Sequence, residues 1–329
     1  MSLLDVRDLK VHFPVPQSFL SKIKFWNQDP SRVVKAVDGV SFSIAEGETL
    51  GLVGESGCGK STTARTILGL IRATGGSVSL NGEELLGQTN ADFRNKRSKI
   101  QMVFQNPFSS LNPRLTVREI LEEPLKSLLK QDRKARLKRV GELMEIVQLD
   151  SRFLDRYPHE FSGGQRQRIN IARALAVKPR LVVLDEPVSA LDVSIQAQII
   201  NLLQDLQKEF QLSYLFIAHD LSVVKTLSHR VAVMYLGRIV EIHQTDKLYA
   251  GPQHPYTQAL LSAVPVPDPH QERARVRIPL QGEIPSPIDV PRGCPFHPRC
   301  HKVVDECRRV VPTLLKKQNG AEASCLLAL

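Results

Sequence analysis

Thr49-Leu50-Gly51-Leu52-Val53-Gly54-Glu55-Ser56-Gly57-Cys58-Gly59-Lys60-Ser61 is an apolar run that breaks into glycines and ends on a lysine and a serine. Thr49 to Val53 predicts a short buried strand, and the residues from Lys60 onward predict a helix. Between them, Gly54 to Ser61 fits G-x-x-x-x-G-K-[ST]. The glycines let backbone N–H groups turn inward around phosphate oxygens; Lys60 reaches the terminal phosphates and Ser61 ligates Mg²⁺. Strand, Gly-rich turn and helix in that order give the motif its required context.

Further along, Leu181-Val182-Val183-Leu184 is a second buried strand, and it ends on Asp185-Glu186. Asp185 suits Mg²⁺ and Glu186 is placed to polarise an attacking water. Ile100 to Phe104 predicts a strand ending at Gln105, and Ser213 to Ala218 one ending at His219. In open α/β sheets the ligand lies beyond the carboxyl ends of the strands. Four strands therefore aim polar groups at one place, where Gln105 can bridge Mg²⁺ and water and His219 can contact a γ-phosphate.

A second anion-binding turn follows about a hundred residues after the first, at Phe161-Ser162-Gly163-Gly164-Gln165-Arg166-Gln167-Arg168. Ser162 caps a helix predicted over Gly164 to Val177, whose free N–H groups and positive dipole end can hold an anion. One nucleotide already has a helix start at Lys60. The second start is redundant unless it serves the nucleotide of another molecule.

The remaining pattern fills in around these turns. Leu3 to Phe13 and Val33 to Ile44 predict strands flanking an irregular stretch, Pro14 to Pro30. The helix after the phosphate loop carries Ile67, Leu68 and Leu70. From Pro107 to Pro158 the pattern is helical and polar, with helices over Leu115 to Leu129 and Arg133 to Val147. Ile195, Ile199, Leu202 and Leu206 recur at helical spacing, and Val231 to Tyr235 predicts one more strand. After about Ala250 proline becomes frequent and long strands stop, so the boundaries predict a unit over 1–250, with a helical insertion at about 107–163, and an extension over 251–329.

The chain has 329 residues, 42% hydrophobic, and a net charge of +10. No apolar run approaches the roughly 20 residues of a membrane span, and Met1-Ser2-Leu3-Leu4-Asp5 carries no signal-peptide pattern. Action at a membrane then requires separate spanning subunits. The charge is concentrated in Lys130 to Arg139 and Arg273 to Arg277, and fits either a solvated surface, an anionic membrane face or nucleic acid. Neither run has the interleaved aromatics of a single-strand binding surface. Phe19 to Trp26 mixes aromatics with lysines, as a membrane-surface segment or a packed insertion would.

Of five cysteines, Cys58 lies in the phosphate loop and Cys294, Cys300, Cys307 and Cys325 lie in the tail. Their spacing, C-x5-C-x6-C-x17-C, lacks the C-x2-C pair of a zinc ribbon. Four such thiolates can hold zinc or a [4Fe–4S] cluster, or remain free. His297 and His301 are alternative ligands or surface residues.

Together these motifs resemble the ATP-binding cassette (ABC) transporter ATPases over about residues 3 to 250. Gly54–Ser61, Gln105, Ser162–Gln165, Asp185-Glu186, Ser189-Ala190-Leu191-Asp192 and His219 stand in the family's order. Phe161 replaces the leucine usual before the signature serine. The resemblance implies an α/β P-loop fold with a mostly parallel core sheet, an antiparallel β subdomain and a helical subdomain. It implies ATP and Mg²⁺ as ligands, with Gly54, Glu55, Ser56, Gly57, Cys58, Gly59, Lys60, Ser61 and Thr62 around the phosphates. Ser61, Gln105 and Asp185 would hold Mg²⁺, and Glu186, Gln105 and His219 would serve hydrolysis. Ser162, Gly163, Gly164, Gln165 and Asp192 would face a partner's nucleotide in a head-to-tail dimer. Phe13 would stack on adenine, with Trp26 as a poorer candidate.

The tail is more particular. His254-Pro255-Tyr256-Thr257-Gln258-Ala259-Leu260-Leu261 resembles the extension of dipeptide and oligopeptide importer ATPases, as do Asn106-Pro107-Phe108, Ser110 to Arg114 and Gly293 to Cys300. This implies a peptide importer at the cytoplasmic face of the membrane, or one for nickel or another small solute. Its partners would be a homologous, non-identical ATPase, two permease subunits and a solute-binding protein, with no nucleic acid. Members with an iron–sulfur cluster at such cysteines favour a structural cluster over zinc. The rival readings are an ABC ATPase acting on nucleic acid or ribosomes, and an iron–sulfur sensor that regulates through the ATPase.

Overall fold

The computed structural model describes residues 2–15, 32–87, 96–106, 110–265, 268–274 and 276–328. The expected membrane-surface stretch at Phe19 to Trp26 and most of Asn106-Pro107-Phe108 lie outside them.

Two sheets form the frame. In the first, β1 (Ser2–Pro14) pairs antiparallel with β2 (Val33–Ala45) and β4 (Gly75–Leu80), and β4 pairs with the short β5 (Glu83–Glu84). In the second, β3 (Thr49–Val53), β6 (Ile100–Val103), β7 (Leu181–Asp185), β8 (Ser213–Ile217) and β9 (Arg230–Tyr235) run parallel in the order β9-β3-β8-β7-β6. All residues of β3, β7 and β8 are buried, as parallel strands covered on both faces must be.

Strand alternation sorts the side chains between two cores. Leu181, Val183, Leu215, Ile217, Ala232 and Met234 face the antiparallel sheet and the helix Lys60–Ile67. Val182, Leu184, Tyr214, Phe216, Val231 and Val233 face the opposite side. There they meet Ile199, Leu202, Leu203 and Leu206 of the helix Val193–Phe210 and Ile169 and Ala172 of the helix Gly163–Leu175.

The helical insertion is built from Val117–Ser127 and Arg133–Ile146. Thr116 and Glu119 form a reciprocal capping box at the first, and Asp132 caps the second by accepting from Ala135 N–H at 2.8 Å. Ile120, Leu121, Leu125, Val140, Leu143 and Met144 join their packed faces to the larger core.

Three features depart from the sequence pattern. The helix after the phosphate loop ends at Ile67, so Leu70 lies outside it and is 55% exposed. The strand β10 (Arg238–Gln244) follows β9 through a tight turn at Leu236-Gly237, both at positive φ (45° and 75°). Leu-Gly is not the Asn-Gly or Asp-Gly pair that flags such a hairpin. Finally, β12 (Glu322–Ala323), from the far tail, pairs antiparallel with β10, and β11 (Leu315–Lys316) pairs with β12. The extension thereby completes the edge of the core sheet.

Candidate nucleotide site

The phosphate loop leaves β3 at Gly54 and enters its helix at Gly59. A side chain at either position would drive a Cβ into a carbonyl oxygen, that of Met234 for Gly54 and that of Ala36 for Gly59, and Gly59 adopts φ 105°. Only glycine fits both the close approach and the left-handed backbone. The β9–β10 turn supports the loop from beneath, since Gly237 N–H donates to Cys58 O at 3.0 Å. Lys60 is buried and donates to the carbonyls of Gly54 (2.7 Å) and Glu55 (3.0 Å). Cys58 is buried beside it, and burial pushes its thiol up from its ordinary value.

The strand ends converge as their sequence order predicts. Ser61 Oγ donates to Asp185 Oδ1 at 3.0 Å. Burial raises the Asp185 carboxyl above the usual carboxylate range, opposed by that hydrogen bond and by the charges of Arg65 and Lys60. Gln105 Nε2 donates to Glu186 Oε2 at 2.7 Å, and His219 Nδ1 lies 3.4 Å from the same oxygen. Glu186 adopts φ 47°, while its N–H donates to Ile217 O at 2.9 Å. A non-glycine residue in this region is uncommon and concentrates at functional sites. Glu186 and His219 also line a small open pocket with Ser189, Gln196 and Asp220.

Ser162 begins the second anion-type turn as a full capping box: its Oγ accepts from Gln165 N–H at 3.3 Å, and Gln165 Oε1 accepts from Ser162 N–H at 3.0 Å. Gly163 and Gly164 are close-packed as well as being a helix entry. A Cβ would lie 3.2 Å from Leu191 Cδ2 at the first and 2.6 Å from Ile195 Cγ2 at the second. Asp192 starts the helix Val193–Phe210 without capping it through its side chain. Phe13 lies near the end of β1 and is 40% exposed.

The tail brings in residues that sequence reasoning missed. Tyr256 Oη accepts from Glu55 N–H at 3.0 Å, and Arg299 holds the Glu55 carboxylate through Nη1 (2.7 Å) and Nη2 (3.0 Å). Nothing in the spacing of Glu55 and Arg299 signals this. Buried Glu241 accepts from the N–H groups of Gln253 (2.7 Å) and His254 (2.9 Å), fixing the start of the helix Pro255–Ala263. Cys294, Cys300, Cys307 and Cys325 line one small cavity with His254, Phe296 and His297. All are free thiols; burial pushes Cys294 up to about 11 and raises Cys300 and Cys325. Among the described residues, however, no three His, Cys, Asp or Glu side chains are grouped as a metal-holding set. The expected ligand set is thus brought to one cavity without being drawn together.

Fold and site define a P-loop nucleotide-binding cassette. Residues 37–189 match the family described as ABC transporter, and residues 240–307 match the oligopeptide/dipeptide transporter C-terminal region. The chain belongs to the ABC transporter family of ATPases. It is 54% identical to the oligopeptide transport ATP-binding protein OppF of Escherichia coli over 95% of this chain and 92% of that one. It is 49% identical to the dipeptide transport ATP-binding protein DppF of Haemophilus influenzae, covering 98% and 96%. Among solved structures, the dimeric post-hydrolysis state of the cassette MJ0796 bound to ADP and phosphate matches with TM-score 0.63 at 28% identity, covering 74% of this chain and 98% of that one. Among the described residues no helix is long and apolar enough to cross a membrane.

Proposed function

We propose that this chain is the ATP-hydrolysing subunit of an importer of di- or oligopeptides. It acts at the cytoplasmic face of the cell membrane with a homologous second ATPase, two permease subunits and a solute-binding protein. The observation that carries the hydrolytic part is the meeting of Gln105 and His219 on one oxygen of Glu186. Three strands deliver the carboxylate, a donor that orients it and an imidazole to one point beside the phosphate loop. The peptide assignment is supported by the match of the tail to the oligopeptide/dipeptide transporter region and by the names of the relatives.

In this reading the N–H groups of Gly57 to Thr62 cradle phosphate, and Lys60 exchanges its carbonyl partners for phosphate oxygens. Ser61, Asp185 and Gln105 would hold Mg²⁺, which supplies neutralisation of developing phosphate charge. Glu186 orients and takes a proton from the attacking water. Phe13 stacks on adenine. Ser162, Gly163, Gly164, Gln165 and Asp192 face the nucleotide of the partner ATPase, so closure of the pair completes two sites, and closure and reopening move the permeases through the Gln105 region and the helical insertion. Glu186→Gln should retain ATP binding and lose most turnover, while Lys60→Ala loses nucleotide affinity. Near-normal ATPase activity in the first, or undiminished binding in the second, sinks this assignment.

For the tail we infer a structural [4Fe–4S] cluster held by Cys294, Cys300, Cys307 and Cys325. Four free thiols lining one cavity support it; loading would replace their protons and cross-link three separate turns of the extension. Iron and acid-labile sulfide measured on anaerobically purified protein should approach four of each per chain, and fall in Cys294→Ser. Iron-free anaerobic protein removes the cluster.

A further inference from the structure

Glu55 is the second residue of the phosphate loop, and its side chain, N–H and carbonyl all have partners. Two of those partners come from the tail. Its carboxylate meets both terminal nitrogens of Arg299, 244 residues away in sequence. The arginine side chain is only 5% exposed. The N–H of Glu55 donates to the hydroxyl of Tyr256, which is fully buried between Tyr235 (ring centroids 4.8 Å apart) and Phe296 (5.3 Å). The carbonyl accepts from Lys60 Nζ, the ammonium on which the loop's phosphate chemistry depends.

A bidentate arginine–carboxylate pair fixes orientation as well as distance, and a lysine cannot reproduce its fork. With the peptide plane before Glu55 held by Tyr256 and its side chain held by Arg299, the carbonyl that receives Lys60 has little freedom. Arg299 itself closes the turn His297–Arg299, directly before Cys300, and its guanidinium lies 5.9 Å from the Tyr235 ring centroid. The tail therefore reaches the loop through a stiff, buried connection.

We propose that Arg299 and Tyr256 are positioning residues of the phosphate loop, so that the C-terminal extension sets nucleotide affinity through Glu55. This rests on Gly54 to Ser61 being the loop that holds the ATP phosphates. A pair that merely fastened the tail would alter melting but leave affinity alone.

The test is equilibrium binding of the fluorescent nucleotide mant-ATP with Mg²⁺ to the full-length chain, alongside steady-state ATP hydrolysis. Arg299→Gln should weaken binding about tenfold and raise KM in step, with kcat within about twofold. Arg299→Lys should recover only part of the loss. Glu55→Gln should weaken binding to a similar degree, and adding Arg299→Gln to it should cost less than about twofold more, because both act through one contact. Tyr256→Phe keeps the ring and removes only the hydroxyl; about threefold weaker binding with a small fall in the melting point is expected, and this variant carries the test if Arg299→Gln does not fold. Wild-type affinity in folded Arg299→Gln and Tyr256→Phe, or independent losses in the double variant, overturns the positioning role. Unaltered binding in Lys60→Ala would instead remove the phosphate-loop reading beneath it.

Discussion

At Gly164, a methyl group would sit 2.6 Å from Cγ2 of Ile195, closer than carbon atoms approach in packed proteins. The glycine joins the start of one helix to the flank of the next, and places the Ser162 turn against the segment from Ser189 to Asp192. Gly164→Ala should therefore cost about 1–3 kcal/mol by overpacking, measured by urea denaturation. Ile195→Ala removes the obstructing methyl, so the double variant should be more stable than additivity predicts. Strict additivity would show that the contact does not limit the site. Glu186 is a second residue held by its surroundings. Its left-handed backbone is uncommon for a side chain of its size, and the bond to Ile217 O together with Gln105 and His219 keeps it there.

Among the elements, the helix Pro255–Ala263 is fastened at its start by two side chains. His254 caps it, its Nδ1 accepting from Tyr256 N–H at 3.0 Å, while Glu241 of β10 accepts from His254 N–H. Full burial pushes the imidazole down to about 3. The folded value lies below that of an unfolded histidine, about 6.5, so protons favour the unfolded chain. The contribution of this group is intact above about pH 6.5 and falls as pH drops toward about 3, with a loss on the order of 2 kcal/mol between pH 7 and pH 5. His254→Asn keeps a side-chain acceptor for the cap and removes the titration. Its melting temperature should fall less over that pH interval than the wild type's; equal slopes would show that His254 does not titrate into the unfolded state. The hairpin β9–β10 belongs to the same scale. Its Leu236-Gly237 turn supports the phosphate loop, yet Leu at positive φ left no turn signal to read.

Across the whole molecule, the extension behaves as part of the cassette's core. Tyr256 and Phe296 belong to the same buried cluster as Val182, Leu184 and Phe216, and β12 extends the sheet that carries the phosphate loop. A composition change near Ala250 marks where long strands stop, after β10; the chain then returns to pack against the core sheet. The part of the site legible in sequence was the part written locally. The glycines around Lys60, the acids after Leu184, Gln105 after β6 and His219 after β8 each follow from a short apolar strand ending in a polar group. Their meeting follows from parallel strands sharing one carboxyl edge. The thiol cavity was legible only as a count and a spacing, because burial and the paths of three turns decide whether sulfurs meet.

The sequence by itself determined the class of sheet, the phosphate loop, the strand-end acids and donors, and the Ser162 cap. Each depends on a period or a turn spanning a few residues. Tertiary structure alone decided that Arg299 and Tyr256 hold Glu55, that Gly164 must be small because of Ile195, and that β12 closes the sheet edge. Those contacts join surfaces far apart in the chain, and no local pattern records their complementarity.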